Sequence, residues 1–191
     1  GAHPYQTIDP VVVAGHLITA LQSIVSRNVN PLDSAVVSVG SVQAGHPGAM
    51  SVIPREARLV GTVRTFRRSV QEMVEARMRE MAASVAAAFG ASAQVDYQRI
   101  YPATLNTPHE AAFVADVATE LVGRDKVVRD LTPSMGSEDF AFMLQARPGA
   151  YFRLGQGGAE SGCTLHNSNY DFNDAVIPLG SALFCPLAGR T

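Results

Sequence analysis

One histidine near the end of the chain has neighbours typical of a functional loop. His166 lies among small, polar, turn-forming residues in the segment 163–174, directly after a glycine-rich run at 155–162. An imidazole can bind a metal or carry a proton because its pKa lies near neutrality, and loops on a rigid scaffold often carry such groups. The alternative is a surface histidine in a connecting loop, since no second ligand lies nearby in sequence and a metal site needs three or four.

Other residues with chemical potential give weaker patterns. The glycines of the 155–162 run lack the spacing of a dinucleotide fingerprint, although their N–H groups could still face a ligand carboxylate. Cys163 could act as a nucleophile only in an electropositive pocket, which a sequence does not show. Arg64 is either on a solvated strand face or directed at a carboxylate, which its planar guanidinium binds at two points. No nucleophile-elbow pattern flanks three serines, Ser34, Ser137 and Ser161.

The composition is that of a globular protein without a preference for polyanions. Of the 191 residues, 47% are hydrophobic and 17% charged, and the formal net charge is −2. That balance favours neither nucleic acid nor an anionic membrane as a partner. No apolar run approaches the ~18 residues of a membrane span. The two cysteines lack metal-finger spacing, which favours a reducing, cytoplasmic setting.

Capping and periodicity predict a helix and a hairpin in the first part of the chain. Asp9–Pro10 is typical of a helix start, and apolar residues at three- and four-residue steps continue to about Val25. Alternation of side-chain type predicts strands over 35–42 and 58–66, with turn chemistry between them.

The residues that follow predict a helix and a strand, which together with the hairpin make up most of a split βαβ unit. Ser69 and Glu72 predict a capping box, and Gly90 predicts the end of the helix that follows. Residues 92–100 are predicted as a further strand. With one additional strand in front, this order is the ferredoxin-like unit, and residues 101–106 are predicted as a linker.

The last part of the chain is predicted to alternate between helices and short strands. The acidic residues Glu138 and Asp139 suit the first turn of a helix for which Ser137 is the predicted cap. The predicted elements are a helix over 107–123 opened by a second capping box, a strand at 127–128, the helix after Ser137, a strand over 150–154, and a helix over about 173–184.

Five stretches taken together resemble one enzyme family. They are Gly1-Ala-His-Pro-Tyr-Gln-Thr-Ile-Asp-Pro10, Val52-Ile-Pro54, Gly61-Thr-Val-Arg-Thr-Phe66, Ser134-Met-Gly-Ser-Glu-Asp-Phe140, and Leu165-His166 followed by Tyr170-Asp-Phe-Asn-Asp174. In this order they resemble the metal-dependent amidohydrolases related to hippurate hydrolase, N-acyl-amino-acid amidohydrolases (aminoacylases) and indole-acetyl-amino-acid hydrolases.

The resemblance implies an α/β enzyme of which this chain is similar to the C-terminal half. Residues 1–105 would be a ferredoxin-like lid and dimerisation domain lacking its first strand. Residues 106–191 would be the C-terminal portion of an α/β, zinc-peptidase-like catalytic domain. The expected partners are a second copy of the enzyme, bound through the lid, and a small N-acyl amino acid.

The resemblance also implies roles for individual residues. His166 matches a metal ligand, Arg64 matches a lid arginine associated with the substrate carboxylate, and Glu138 and Gly155 match walls of the active-site cleft. Two divalent metal ions (zinc, manganese, nickel or cobalt) are expected in the complete enzyme, whose other ligands and glutamate base would lie in the half that this chain does not match. We therefore expect no catalytic residue in this chain, no hydrolysis by it alone, and weak metal binding. The alternative is a non-catalytic ferredoxin-like dimerisation or binding module.

Overall fold

The computed structural model describes residues 1–157 and 165–189, and the chain divides into two compact units. Their bounds are Gly1–Ala103 and Thr104–Thr191. Helices and strands are mixed, so the predicted α/β class is confirmed. The assignment of the units to a lid and to part of a catalytic domain stays a prediction. None of the described helices combines the length and apolar character that crossing a bilayer requires.

The first unit contains two helices and two strands in the order helix, strand, strand, helix. These are α1 (Pro10–Arg27), β1 (Ala35–Ala44), β2 (Ala57–Thr65) and α2 (Arg68–Ala88), preceded by a 3-10 turn at Pro4–Gln6. The predicted start of α1 is confirmed, because the Asp9 side chain accepts a hydrogen bond from the Val11 N–H at 2.8 Å. The predicted end of α2 is also confirmed, since Gly90 follows the helix with φ +73°.

The two strands form the predicted antiparallel hairpin, which contains one β-bulge. Val37 lies opposite Val63 and Val36 opposite Arg64, whereas the register shifts between Val39 and Ser41. The residue between them, Gly40, is therefore the extra residue of β1. On β2, the backbone of Gly61 lies so close to β1 that an added Cβ would overlap the Ser38 carbonyl oxygen.

The core of the first unit lies between the sheet and the two helices. Ile24 of α1 and Val74 of α2 are fully buried, and Val37 of β1 is 7% exposed. Side chains alternate between the two faces of a strand, so Val37 and Val63 face the helices and their neighbours Val36 and Arg64 lie on the other face. The remaining members of this core are Leu21, Val29 and Val70.

Two predictions for the first unit are wrong. Residues 92–100 form no strand, because no described backbone pairs with them. Side chains hold them instead: Arg79 donates to the Val95 carbonyl oxygen at 2.6 Å, and Arg99 donates to Glu75 at 2.8 Å. The capping box is also absent, since α2 begins at Arg68 without a side-chain cap and Glu72 pairs with that arginine.

The second unit is helical, with long irregular connections. Its described elements are α3 (Pro108–Val122), a 3-10 turn (Arg124–Lys126), α4 (Phe140–Ala146), a 3-10 turn (Asp174–Val176) and α5 (Ile177–Gly189). Contacts between α3 and α5 form its centre, where Val117 of α3 and Leu183 of α5 are buried. The predicted helix over 107–123 is confirmed, as is the helix predicted over about 173–184, which is observed as the 3-10 turn Asp174–Val176 followed by α5.

The two short strands predicted in this unit are absent, and two predicted caps act differently. Residues 127–128 and 150–154 are not strands. Thr107 precedes α3 without capping it, and α4 begins after Asp139, beyond the predicted cap Ser137. The reason is that Thr107 uses its hydroxyl elsewhere, as an acceptor for the Gly149 N–H at 3.1 Å.

Candidate metal and substrate site

His166 is exposed on a tight turn and has a left-handed backbone. Its φ is +70°, and among the described residues no other non-glycine residue has a positive φ. A left-handed conformation costs about 1–2 kcal/mol for an L-residue, and such strain is found most often at functional sites. Asn167 fixes the turn that follows, because its side chain accepts from the Asn169 N–H at 2.9 Å and its carbonyl accepts from the Tyr170 N–H at 3.0 Å. The imidazole is therefore presented to solvent on an ordered turn.

The chain on either side of this turn is joined by an asparagine–glutamine pair. The Asn173 side-chain amide donates to the Gln156 carbonyl oxygen at 2.6 Å, and the Asn173 backbone N–H approaches Gln156 Oε1 at 3.3 Å. The Asn173 Oδ1 also accepts from the Ala175 N–H at 3.1 Å, which caps the following helical turn. Gln156 directly follows Gly155, so the predicted glycine and the histidine turn belong to one hydrogen-bonded region.

The extended segment before Gly155 is held by side chains that take the place of a neighbouring strand. Asn106 donates to the Tyr151 carbonyl oxygen at 2.9 Å and accepts from the Tyr151 N–H at 2.8 Å. Next to it, Thr107 binds Gly149 both through its hydroxyl and through its backbone N–H, which donates to the Gly149 carbonyl oxygen at 2.9 Å. Residues 149–151 thus gain ladder-like hydrogen bonds without a β-strand beside them.

Glu138 lies at the side of the same segment. Burial, together with the nearby Glu138 carboxylate, raises the pKa of Tyr151. The Tyr151 ring also contacts the Phe140 ring, with centroids 5.8 Å apart. Arg153 donates to the Ser134 hydroxyl at 3.0 Å, which fixes the other end of the Ser134–Phe140 stretch. Glu138 is therefore positioned by the segment that leads to Gly155.

Arg64 belongs to the first unit and lies on β2. Its Nε donates to the Thr62 hydroxyl at 3.1 Å, two residues away on the same strand. Both side chains lie on the sheet face opposite the helices. Of the four predicted site residues, the structure thus places Glu138, Gly155 and His166 in the second unit and Arg64 in the first.

The donor atoms of the described residues do not complete a metal site. Across residues 1–157 and 165–189, no three His, Cys, Asp or Glu side chains are grouped closely enough to hold a metal ion. The exposed imidazole of His166 fits as one ligand of a zinc-like ion, which binds three or four such groups. Cys163 lies outside the described residues, and Cys185 is a free, exposed thiol.

Three residues of this region were not singled out by the sequence. Asn106 and Asn173 act through hydrogen bonds to the main chain of distant residues, and Tyr151 acts through its hydroxyl. No local pattern marks such contacts, although an asparagine beside a proline-containing turn or before a helix is a general sign of side-chain-to-backbone bonding. A separate cavity of about 660 Å³ lies near the end of α3 and contains none of the predicted site residues; it is lined by Thr119, Arg124, Asp125, Val127, Arg129 and Asp130.

Comparisons with known proteins agree on one family. The chain is 36% identical over 179 residues to the putative amidohydrolase YhaA of Bacillus subtilis, covering 93% of this chain and 44% of the relative. It is 35% identical over 188 residues to the hippurate hydrolase of Campylobacter jejuni, covering 98% and 48%. It thus spans about half the length of the curated relatives it matches.

Solved structures and a family model extend this result. The Bacillus subtilis YXEP protein, described as a dinuclear metal binding peptidase from the M20 family, superimposes with a TM-score of 0.70 at 29% identity over 96% of this chain and 46% of the other. A putative aminohydrolase from methicillin-resistant Staphylococcus aureus gives a TM-score of 0.66 at 27% identity, covering 78% and 38%. The model of peptidase family M20/M25/M40 matches residues 3–190. The chain therefore belongs to peptidase family M20/M25/M40.

Proposed function

We propose that this chain supplies one metal ligand and the substrate-facing segments of an amidohydrolase that cleaves small N-acyl amino acids. The observation that carries the proposal is the exposed imidazole of His166, held on a left-handed turn beside the Gly155 segment. Relatives named hippurate hydrolase, N-acetyldiaminopimelate deacetylase and N-acetylcysteine deacetylase support the substrate class, since each name contains an N-acylated amino acid.

Each predicted site residue has a role in this proposal. His166 would hold a divalent metal ion, and when bound such ions polarise an amide carbonyl and provide a nucleophile at neutral pH. Zinc, manganese, nickel and cobalt all accept imidazole and carboxylate ligands. Arg64 would bind the substrate carboxylate through two parallel hydrogen bonds. Glu138, oriented by Tyr151, and the main chain at Gly155 would line the cleft.

The remaining ligands and the general base are proposed to come from outside the described residues. A single imidazole does not make a tight site, and the structural neighbour that aligns over 46% of its length is described as binding two metals. We also propose that residues 1–105 are the lid of the enzyme, that it forms a homodimer through this lid, and that it works in the cytoplasm.

Metal titration of two protein forms tests the proposal. We expect the 191-residue chain to bind zinc more weakly than micromolar by calorimetry. In the product of the whole gene we expect tight binding and hippurate hydrolysis, both reduced at least tenfold by His166→Asn. Asparagine is the chosen replacement because it tolerates a left-handed backbone. Unchanged metal affinity in His166→Asn would refute the assignment, and a whole-gene product without hydrolysis or metal binding would favour the non-catalytic binding module.

A further inference from the structure

The histidine turn has an anchor that is distinct from any metal ligand. Along the chain, Gln156 and Asn173 lie on either side of the stretch that carries His166. The Asn173 amide nitrogen and the Gln156 carbonyl oxygen are 2.6 Å apart, which is within hydrogen-bond distance. Hydrogen bonding between the ends of a loop reduces the number of positions that its tip can adopt. We call Gln156 and Asn173 the loop clasp.

The clasp joins the histidine turn to a segment that is itself fixed. Residues 149–153 are held by the side chains of Asn106, Thr107 and Ser134. Gln156 continues this segment, so its carbonyl oxygen is a fixed point for the Asn173 amide. On the other side, Asn167 organises the turn directly after His166 through two hydrogen bonds. Within the part of the chain that the structure describes, the hydrogen bonds that join Gln156 to the stretch carrying His166 are made by Asn173.

We infer that Asn173 is a positioning residue: its side-chain amide clasps the Gln156 carbonyl and thereby sets where the His166 turn presents its imidazole. This inference deepens the proposed function and rests on it only where His166 is taken to bind metal. The same side chain caps the following helical turn through Oδ1, and its two ends therefore perform two separable tasks. A purely structural role would need only the cap.

An aspartate at this position separates the two tasks. Asn173→Asp keeps an oxygen acceptor for the Ala175 N–H, and aspartate is as good an N-cap as asparagine. It loses the side-chain N–H donor to the Gln156 carbonyl and places a carboxylate oxygen against that carbonyl, while the backbone N–H of residue 173 can still donate to Gln156 Oε1. Asn167→Asp is the matched control, because it adds the same charge to the same turn while its acceptor for the Asn169 N–H remains. Asn173→Ala removes both tasks.

Hydrogen exchange of the 191-residue chain tests the clasp without any metal. In Asn173→Asp we expect the Asn169 and Tyr170 amides to exchange about fivefold faster, as expected for the loss of one typical hydrogen bond. In Asn167→Asp their exchange is expected to stay within about twofold of the starting protein. The Ala175 amide should keep its protection in Asn173→Asp and lose it in Asn173→Ala. Unchanged exchange of the turn in Asn173→Asp, with acceleration in Asn173→Ala alone, would overturn the inference in favour of a capping role.

Metal affinity of the whole-gene product distinguishes this inference from the proposed function. Weaker binding in both Asn173→Asp and His166→Asn supports both. If His166→Asn leaves metal affinity unchanged while Asn173→Asp still accelerates exchange of the turn, the metal role of His166 is refuted and the clasp is supported. If Asn173→Asp alters neither exchange nor affinity while His166→Asn abolishes binding, the clasp is refuted and the metal role stands.

Discussion

Asn106 offers the sharpest test of how the segment before Gly155 is held. Its side chain makes two hydrogen bonds to the main chain of Tyr151, at 2.9 and 2.8 Å. Each bond is worth about 0.5–1.5 kcal/mol net, so Asn106→Ala could cost about 1–3 kcal/mol in the free energy of unfolding of the second unit. Asn106 is exposed, and water replaces part of what is lost. We therefore expect the lower end, about 1 kcal/mol.

Two further variants show whether Asn106 and Thr107 act together in holding residues 149–151. Asn106→Asp keeps the acceptor for the Tyr151 N–H and loses the donor, so it should lie between the starting protein and Asn106→Ala. Thr107→Val removes the hydroxyl that accepts from Gly149. Because Asn106 and Thr107 hold the same short segment, the double variant should lose less than the sum of the single losses.

Urea unfolding followed by far-ultraviolet circular dichroism, together with hydrogen exchange, provides the measurement. Exchange of the Tyr151 amide should accelerate strongly in Asn106→Ala and only slightly in Asn106→Asp, which still binds it. The reasoning is refuted if Asn106→Ala leaves both the unfolding midpoint and the Tyr151 exchange rate unchanged. Additive losses in the double variant would show instead that the two residues act independently.

Three other perturbations test the first unit. Gly61→Ala should destabilise it by about 1–3 kcal/mol in thermal unfolding, because the new methyl would overlap the Ser38 carbonyl oxygen and force the strands apart. Gly15→Ala is the control; this helical position has open space around it, and the change should stabilise by up to about 1 kcal/mol. Hydrogen bonds from Arg99 and Arg79 lower the pKa of Glu75 below its ordinary 4.5, so the ionised carboxylate stabilises the folded state above that pH and this contribution is lost on acidification. The free energy of unfolding of Glu75→Gln should therefore depend less on pH below 4.5. The same pH dependence in both proteins would contradict this. In the whole-gene product, for which we propose hippurate hydrolysis, Arg64→Gln should raise KM for hippurate about tenfold or more with little change in kcat, and should not affect an uncharged benzamide substrate. An equal effect on both substrates would exclude carboxylate binding.

The sequence predicts those elements whose signals are local. The start of α1 follows from Asp9 and Pro10, and the hairpin follows from alternation on both sides of a turn. The extended segments 92–100 and 150–154 show strand-like composition too, but a strand also needs a backbone neighbour. Composition does not show that arginine or asparagine side chains occupy that place instead.

In the candidate site, too, some features follow from local sequence and others do not. His166 is recognisable by its residue type and by the turn-forming residues around it. The clasp joins residues 17 positions apart, and the bonds between Asn106 and Tyr151 span 45 positions, so no local pattern predicts either contact. Resemblance to the family marks the residues that would touch a ligand but not those that hold them in place.

The bulge at Gly40 has a consequence for how this hairpin tolerates change in length. Beyond it, Ser41 and Gln43 share the outer face with Thr62 and Arg64, opposite the helices. Deleting Gly40 would remove the bulge and make Val39 and Ser41 consecutive residues opposite Gly61 and Val60, so Val42 and Ala44 would still face the helices. Deleting Ser41 as well would leave no extra residue to absorb the change and would turn Val42 and Ala44 to the outer face, where exposed apolar side chains on a sheet favour self-association.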